Sequence, residues 1–169
     1  MLSEKLLQEL QEYVVNWRII RPSAAPRATQ ACEKRCFSES IHEYELEDYI
    51  KNNRKQAFSQ VLFSLIDKKG AADSELYKKA GIDRRHFSKI RSIPDYHIGK
   101  NTVVALALAL ELDKKETDEL LGSAGFTLSD SDTFDLVIQF CLDKKLYNIV
   151  DVNLALDYFS LKPLAGASE

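Results

Sequence analysis

Residues 80–101 read AGIDRRHFSKIRSIPDYHIGKN. Gly81 permits a turn through positive φ, Asp83 is a helix N-cap, and Pro94 prevents a helix from continuing. Between these signals DRRHFSKIRS spells one short helix, from the Asp83 cap to Ser92. Ile82, Phe87 and Ile90 supply its apolar side, which leaves Arg84, Arg85, Lys89 and Arg91 pointing outward. From Lys78 to Lys100 there are seven Lys and Arg side chains, opposed by Asp83 and Asp95 alone. The local charge is therefore plus five, in a chain whose net charge is −3.

The elements on either side of this stretch are helical. AFSQVLFSLIDKKG places Phe58, Val61, Leu62, Leu65 and Ile66 on one stripe and stops at Gly70. DSELYKKAG is a short helix capped by Asp73 or Ser74 and closed by Gly81. NTVVALALALEL starts from an Asn101 or Thr102 cap and is apolar on nearly every side, which predicts the most buried helix. DKKETDELLGSAG is a further short helix ending at Gly125. Beyond it, SDTFDLVIQFCLDKK and NIVDVNLALDYF form a C-terminal helical pair, burying Phe134, Val137, Ile138, Cys141, Ile149, Val152, Leu156 and Phe159.

Upstream, residues 2–20 carry Leu6, Leu10, Tyr13, Trp17 and Ile20 at three- and four-residue steps, the pattern of an amphipathic helix. RPSAAPRATQ, near 21–30, reads as a linker. ACEKRCFSES is one or two helical turns, and SIHEYELEDYIKNN a helix with Ile41, Tyr44, Tyr49 and Ile50 on one side. The reading divides the chain into a helical extension (1–57), a central five-helix module (58–125) and the helical pair (126–169) packed on it. Six glycines and four prolines in 169 residues, with no alternating strand pattern, leave helix-on-helix packing as the architecture. The longest apolar run, Val103 to Leu110, is far short of the roughly 20 residues that span a bilayer. No membrane partner and a cytoplasmic location are expected.

Within 58–125, Leu76, Ala80, Gly81, Ile82, Phe87, Ser88 and Ile90, followed by the apolar helix from Thr102 to Leu112, resemble the lambda-repressor-like (Cro-type) helix-turn-helix family. The match lies in Gly at the tight turn, an aliphatic residue after it and Ser six residues later. The same string, with FDLVIQFCL, looks like a group of bacterial modules that occur alone or as the C-terminal part of larger proteins. The resemblance implies that the third helix of the module enters the DNA major groove with its N-terminal half. Arg84, Arg85 and His86 would then face base edges, and Lys89, Arg91, Lys100 and Asn101 would lie nearer phosphates. The chain departs from the family at Asp73, where Gln usually contacts phosphate, at Tyr77, where Ala is preferred inside the second helix, and at Arg91, where Glu is frequent. A carboxylate at Asp73 would repel the backbone, and the bulk of Tyr77 would splay the helices or drive the ring to the surface.

The expected function is therefore duplex DNA binding by a non-enzymatic transcriptional regulator. The alternative is a protein-interaction module that kept the scaffold and lost DNA contact. A homodimer through Leu6, Leu10, Tyr13 and Trp17 fits either. Asp130, Asp132, Asp135, Asp143, Asp151 and Asp157 offer a third idea, masking of the basic helix within the same chain. No catalytic residue is expected, because neither His86 nor His97 has a Ser or Cys nucleophile at a defensible spacing. Cys32, Cys36 and His42 give C-x3-C-x5-H without a fourth ligand, so no metal is expected, and the thiols read as free. The Glu43, Glu45, Glu47 and Asp48 cluster reads as a solvated helix face. Neither phosphate-cradling glycine motif occurs, so no cofactor is expected.

Overall fold

A computed structural model describes residues 4–19, 43–93 and 96–164. Among these residues there are nine α-helices and no strand. They are α1 (Glu4–Ile19), α2 (Glu43–Asn53), α3 (Phe58–Lys69), α4 (Asp73–Lys79), α5 (Arg84–Ser92), α6 (Lys100–Ala109), α7 (Lys114–Ser123), α8 (Thr133–Asp143) and α9 (Ile149–Tyr158). The protein is all-α. The stretch 21–30, the two cysteines of the C-x3-C-x5-H spacing and His42 lie outside the described residues.

Helix ends are set by a recurring backbone device. At α4 the chain turns through Gly81 at φ 63°, and Ile82 N–H donates to the Tyr77 carbonyl at 2.9 Å. This six-residue reach, with a left-handed residue inside it, satisfies a carbonyl that the helix leaves unpaired. The same closure recurs after α3 and α7 with Gly70 and Gly125 in the left-handed position. It recurs after α6, α8 and α9 with Glu111, Lys145 and Ser160 there, all at φ 52–55°. Helix starts depart from expectation in two places. α4 begins after Ala72, with Asp73 already its first helical residue, and α6 begins after Gly99 rather than at Asn101 or Thr102.

The chain divides into two compact units, Met1–Ile20 with Gln56–Glu169, and Arg21–Lys55. In the second, the described element is α2, on which Tyr44, Leu46, Tyr49 and Ile50 are exposed. In the first, α6 is the central element: Val103 through Leu110 are all buried. α4, α7 and α9 pack around it, α3 packs on α7, and α5 sits against α4. The expected α3 stripe of Phe58, Val61, Leu62, Leu65 and Ile66 is the buried set.

α1 belongs to this same body. Leu10 and Val14 are buried, Tyr13 meets the Phe140 ring at 5.5 Å, and Lys144 pairs with Glu9 across 135 residues of sequence. Burying apolar groups against α8 stabilises the chain by roughly 1.5–3 kcal/mol per large side chain. The expected dimer through Leu6, Leu10, Tyr13 and Trp17 draws on this same stripe. Leu10 and Tyr13 are spent within the chain, and Leu6 is half-buried on the same core. The side chain of Trp17 lies outside the described set.

Candidate nucleic-acid interface

α4 and α5 form a compact corner. Gly81 makes the turn, Ile82 is buried beneath it, and Asp83 caps α5 by accepting from Arg85 N–H at 2.6 Å. Phe87 and Ile90, one turn apart, are buried, so α5 is held by one face only. Tyr77 neither splays the pair nor swings to the surface. It is half-buried, with its ring 6.0 Å from that of Phe87, and Phe63 meets Phe87 edge-on at 6.3 Å. Such aromatic pairs add about 0.5–1.5 kcal/mol beyond their buried area.

The seven residues assigned to nucleic acid separate into two groups. Arg84, Arg85 and Lys89 are exposed on the outer face of α5, and none forms an ion pair among the described residues. Asn101 is exposed in the first turn of α6. The other three are engaged. Arg91 pairs with the Asp73 carboxylate and lies over the Phe63 ring, 4.9 Å from its centre. Lys100 donates to Asp135 at 2.6 Å, and Asp135 is only 1% exposed. His86 is half-buried, edge-on to Tyr96 at 5.6 Å, and its Nε2 is buried without a hydrogen-bond partner among the described residues. His86, expected at base edges, and Arg91 and Lys100, expected at phosphates, thus have partners within the chain, whereas Arg84, Arg85, Lys89 and Asn101 stand exposed. A long cation takes a carboxylate or a ring within reach before it takes solvent, provided the partner is already in place.

Two of the departures noted in the sequence thus explain one another. Asp73 and Arg91 are a charge pair that ties the start of α4 to the end of α5. Asp135 is the residue the sequence reading misplaced most. It receives Lys100 and the Ser129 N–H, at 2.6 and 2.8 Å, at the start of α8. Beside it Gln139, also buried, accepts from Lys114 and donates to Asp130, both at 3.2 Å. The signal was present in TFDLVIQFCL, where a carboxylate interrupts an otherwise apolar run and so requires a buried partner.

The acidic C-terminal helices do not cover α5. α8 packs on α1, α7 and α9, and α9 on α6, while Arg84, Arg85 and Lys89 stay exposed. Masking of the basic helix by residues 126–164 of the same chain is absent from this arrangement. A cleft of about 430 Å³ lies at the foot of α5, lined by Phe58, Ile90, Ile93, Tyr96, His97 and Phe126 among others. Among the described residues its polar groups are those of Ser59, Tyr96, His97 and Ser123. Cys141 is a free, buried thiol whose pKa is pushed up to about 12 by burial, with the Asp151 charge adding to the effect. Such a thiol is a packing group rather than a nucleophile. No group of three potential metal ligands occurs among the described residues, and no helix there is long and apolar enough to cross a membrane. No family model, curated protein or solved structure matches the chain.

Proposed function

We propose that α3 to α7 form a repressor-like helix-turn-helix module that binds duplex DNA, with α5 in the major groove, and that the chain acts as a cytoplasmic transcriptional regulator. What supports this reading is the outer face of α5, where Arg84, Arg85 and Lys89 stand exposed, with no ion pair among the described residues, on a helix anchored by Phe87 and Ile90. Arg84 and Arg85, in the first turn, reach base edges, where a guanidinium bridges guanine O6 and N7. Lys89 and Asn101 take phosphate oxygens. His86, Arg91 and Lys100 hold the interface in shape through Tyr96, Asp73 and Asp135. The chain is a binding protein and carries out no reaction.

With Lys89 at a phosphate and Arg84 and Arg85 at base edges, the slope of log K against log salt should lie between roughly −1 and −3 per module, at about −0.9 for each phosphate neutralised. A fluorescence titration against duplexes across a range of salt measures it. Arg84→Ala with Arg85→Ala should remove binding while leaving the circular dichroism unchanged. Binding that survives the double variant, or no binding to any duplex at low salt, overturns the reading. One observation favours a second reading, a protein-interaction module on the same scaffold. Arg91 and Lys100, which would have widened the cationic footprint, are committed to Asp73 and Asp135.

A further inference from the structure

The outer face of α5 presents guanidiniums, an ammonium and small hydroxyls. At roughly 100° per residue, Arg85 projects directly away from the buried Phe87 and Ile90, and Arg84 projects to the flank that also carries Arg91. Ser88 and Lys89 lie one turn on, to either side of Arg85. Arg84, Arg85, Ser88 and Lys89 are all exposed. Arg91 is held by Asp73, whereas Arg84 and Arg85 form no ion pair among the described residues. Ser92 folds its hydroxyl back onto the Ser88 carbonyl at 2.8 Å. Two small side chains one turn apart let the helix backbone come close to whatever it meets, and the two arginines reach past them.

The residue types on the helix decide which bases it can match. A guanidinium donates two parallel hydrogen bonds to O6 and N7 of guanine, whereas adenine is matched by Asn or Gln and cytosine by Asp or Glu. RRHFSKIRS holds none of those four residue types. Asp83, just ahead of it, already accepts from Arg85 N–H as the cap. Arg84 and Arg85 leave the helix roughly 100° apart, so they diverge onto different base pairs rather than converge on one. The sequence-independent share of binding is small at the same time, because Arg91 and Lys100 spend their charge on Asp73 and Asp135.

We infer that the target of α5 is a duplex segment with guanine at two neighbouring base pairs, one read by Arg84 and the other by Arg85, and that duplex made only of A·T pairs is held through its phosphates alone. This inference rests on the placement of α5 in the major groove proposed above. The probes are duplexes of about two helical turns. One is rich in GG steps. The next is the same duplex with 7-deazaguanine for guanine, which keeps the pairing and every phosphate but removes the N7 acceptor. The last holds only A·T pairs. In fluorescence titrations of the full chain at fixed salt, the guanine duplex should bind tighter than the A·T duplex by roughly 5- to 150-fold for each guanine read. The 7-deazaguanine duplex should fall well below the guanine duplex. Arg85→Gln, at an exposed position, exchanges a guanine match for an adenine match, so it should narrow the guanine preference by roughly 5- to 150-fold with circular dichroism unchanged. Equal affinity for all three duplexes, tighter binding of the A·T duplex, or an unaltered preference in Arg85→Gln would overturn the inference and leave duplex binding standing. Binding to none of the three at low salt would overturn it together with the reading it rests on.

Discussion

Individual residues in this protein carry strain that glycine would relieve. Gly70, Gly81 and Gly125 occupy left-handed positions after α3, α4 and α7, where the absence of a Cβ removes the steric cost. Glu111, Lys145 and Ser160 occupy the equivalent positions after α6, α8 and α9, at a cost of about 1 kcal/mol each. Lys145 is the cleanest of the three to test. It is exposed and makes no ion pair among the described residues, whereas the carbonyl of Glu111 accepts from Lys69 and its carboxylate faces Lys79. Lys145→Gly should raise stability by about 0.5 kcal/mol, the relief of strain exceeding the extra entropy of the unfolded chain. Urea unfolding monitored by circular dichroism measures it, as a higher midpoint at unchanged slope. A lower midpoint would mean that the Lys145 side chain contributes something its exposure conceals.

At the scale of elements, α3 and α7 are joined by charge. Glu116 accepts from Lys68 at 2.7 Å, faces Lys69 at 3.4 Å, and also receives the Asp113 N–H in a capping box whose other half is Asp113 accepting from Glu116 N–H. The Lys68 hydrogen bond is the leading cause of a Glu116 pKa below the ordinary glutamate value, and the same bond raises that of Lys68. A carboxylate with a depressed folded pKa stabilises the fold above its unfolded pKa, and that stability is lost as pH falls through the folded value. The raised Lys68 contributes in the opposite limb, with its share lost as pH rises through the folded lysine value. Glu116→Gln keeps an acceptor for the cap and removes the charge. Its stability should therefore vary less with pH than the wild type below about pH 4.5, the ordinary glutamate value, and the two curves should converge in strong acid. Thermal melts across pH 2.5–7 read this directly, and parallel curves would show that the pair contributes nothing to the acid limb. The elements themselves were legible because their signals are local. Asp83 and Gly81 mark one corner, and the 3.6-residue period of α3 picks out its five buried residues. What escaped is what no local pattern encodes: Asp73 meets Arg91 across 18 residues, and Lys100 meets Asp135 across 35. Cations near an apolar helix read as free to bind phosphate until the tertiary fold supplies a carboxylate.

For the whole molecule, the pairing of Lys100 with Asp135 makes the C-terminal helices part of the fold rather than an appendage. Lys100 opens α6, the helix at the centre of the core, and Asp135 lies in the first turn of α8. Asp135 is almost wholly buried, and its other oxygen, Oδ1, has no hydrogen-bond partner among the described residues. The carboxylate therefore relies on Lys100 and the Ser129 N–H to offset its desolvation. Removing one partner of a buried pair leaves the other uncompensated, at a cost of about 3–5 kcal/mol. Lys100→Ala should thus destabilise the protein by about 3 kcal/mol, and Lys100→Ala with Asp135→Leu should recover much of the loss, because an apolar pair of similar volume carries no desolvation penalty. Denaturant melts of the two variants measure both steps. The same pair separates structure from recognition. If Lys100 served DNA, the double variant would fold and still lose affinity, with a shallower salt dependence. If it serves the fold, the double variant should bind duplex with the wild-type slope, and only the single variant should fail, in proportion to the fraction unfolded.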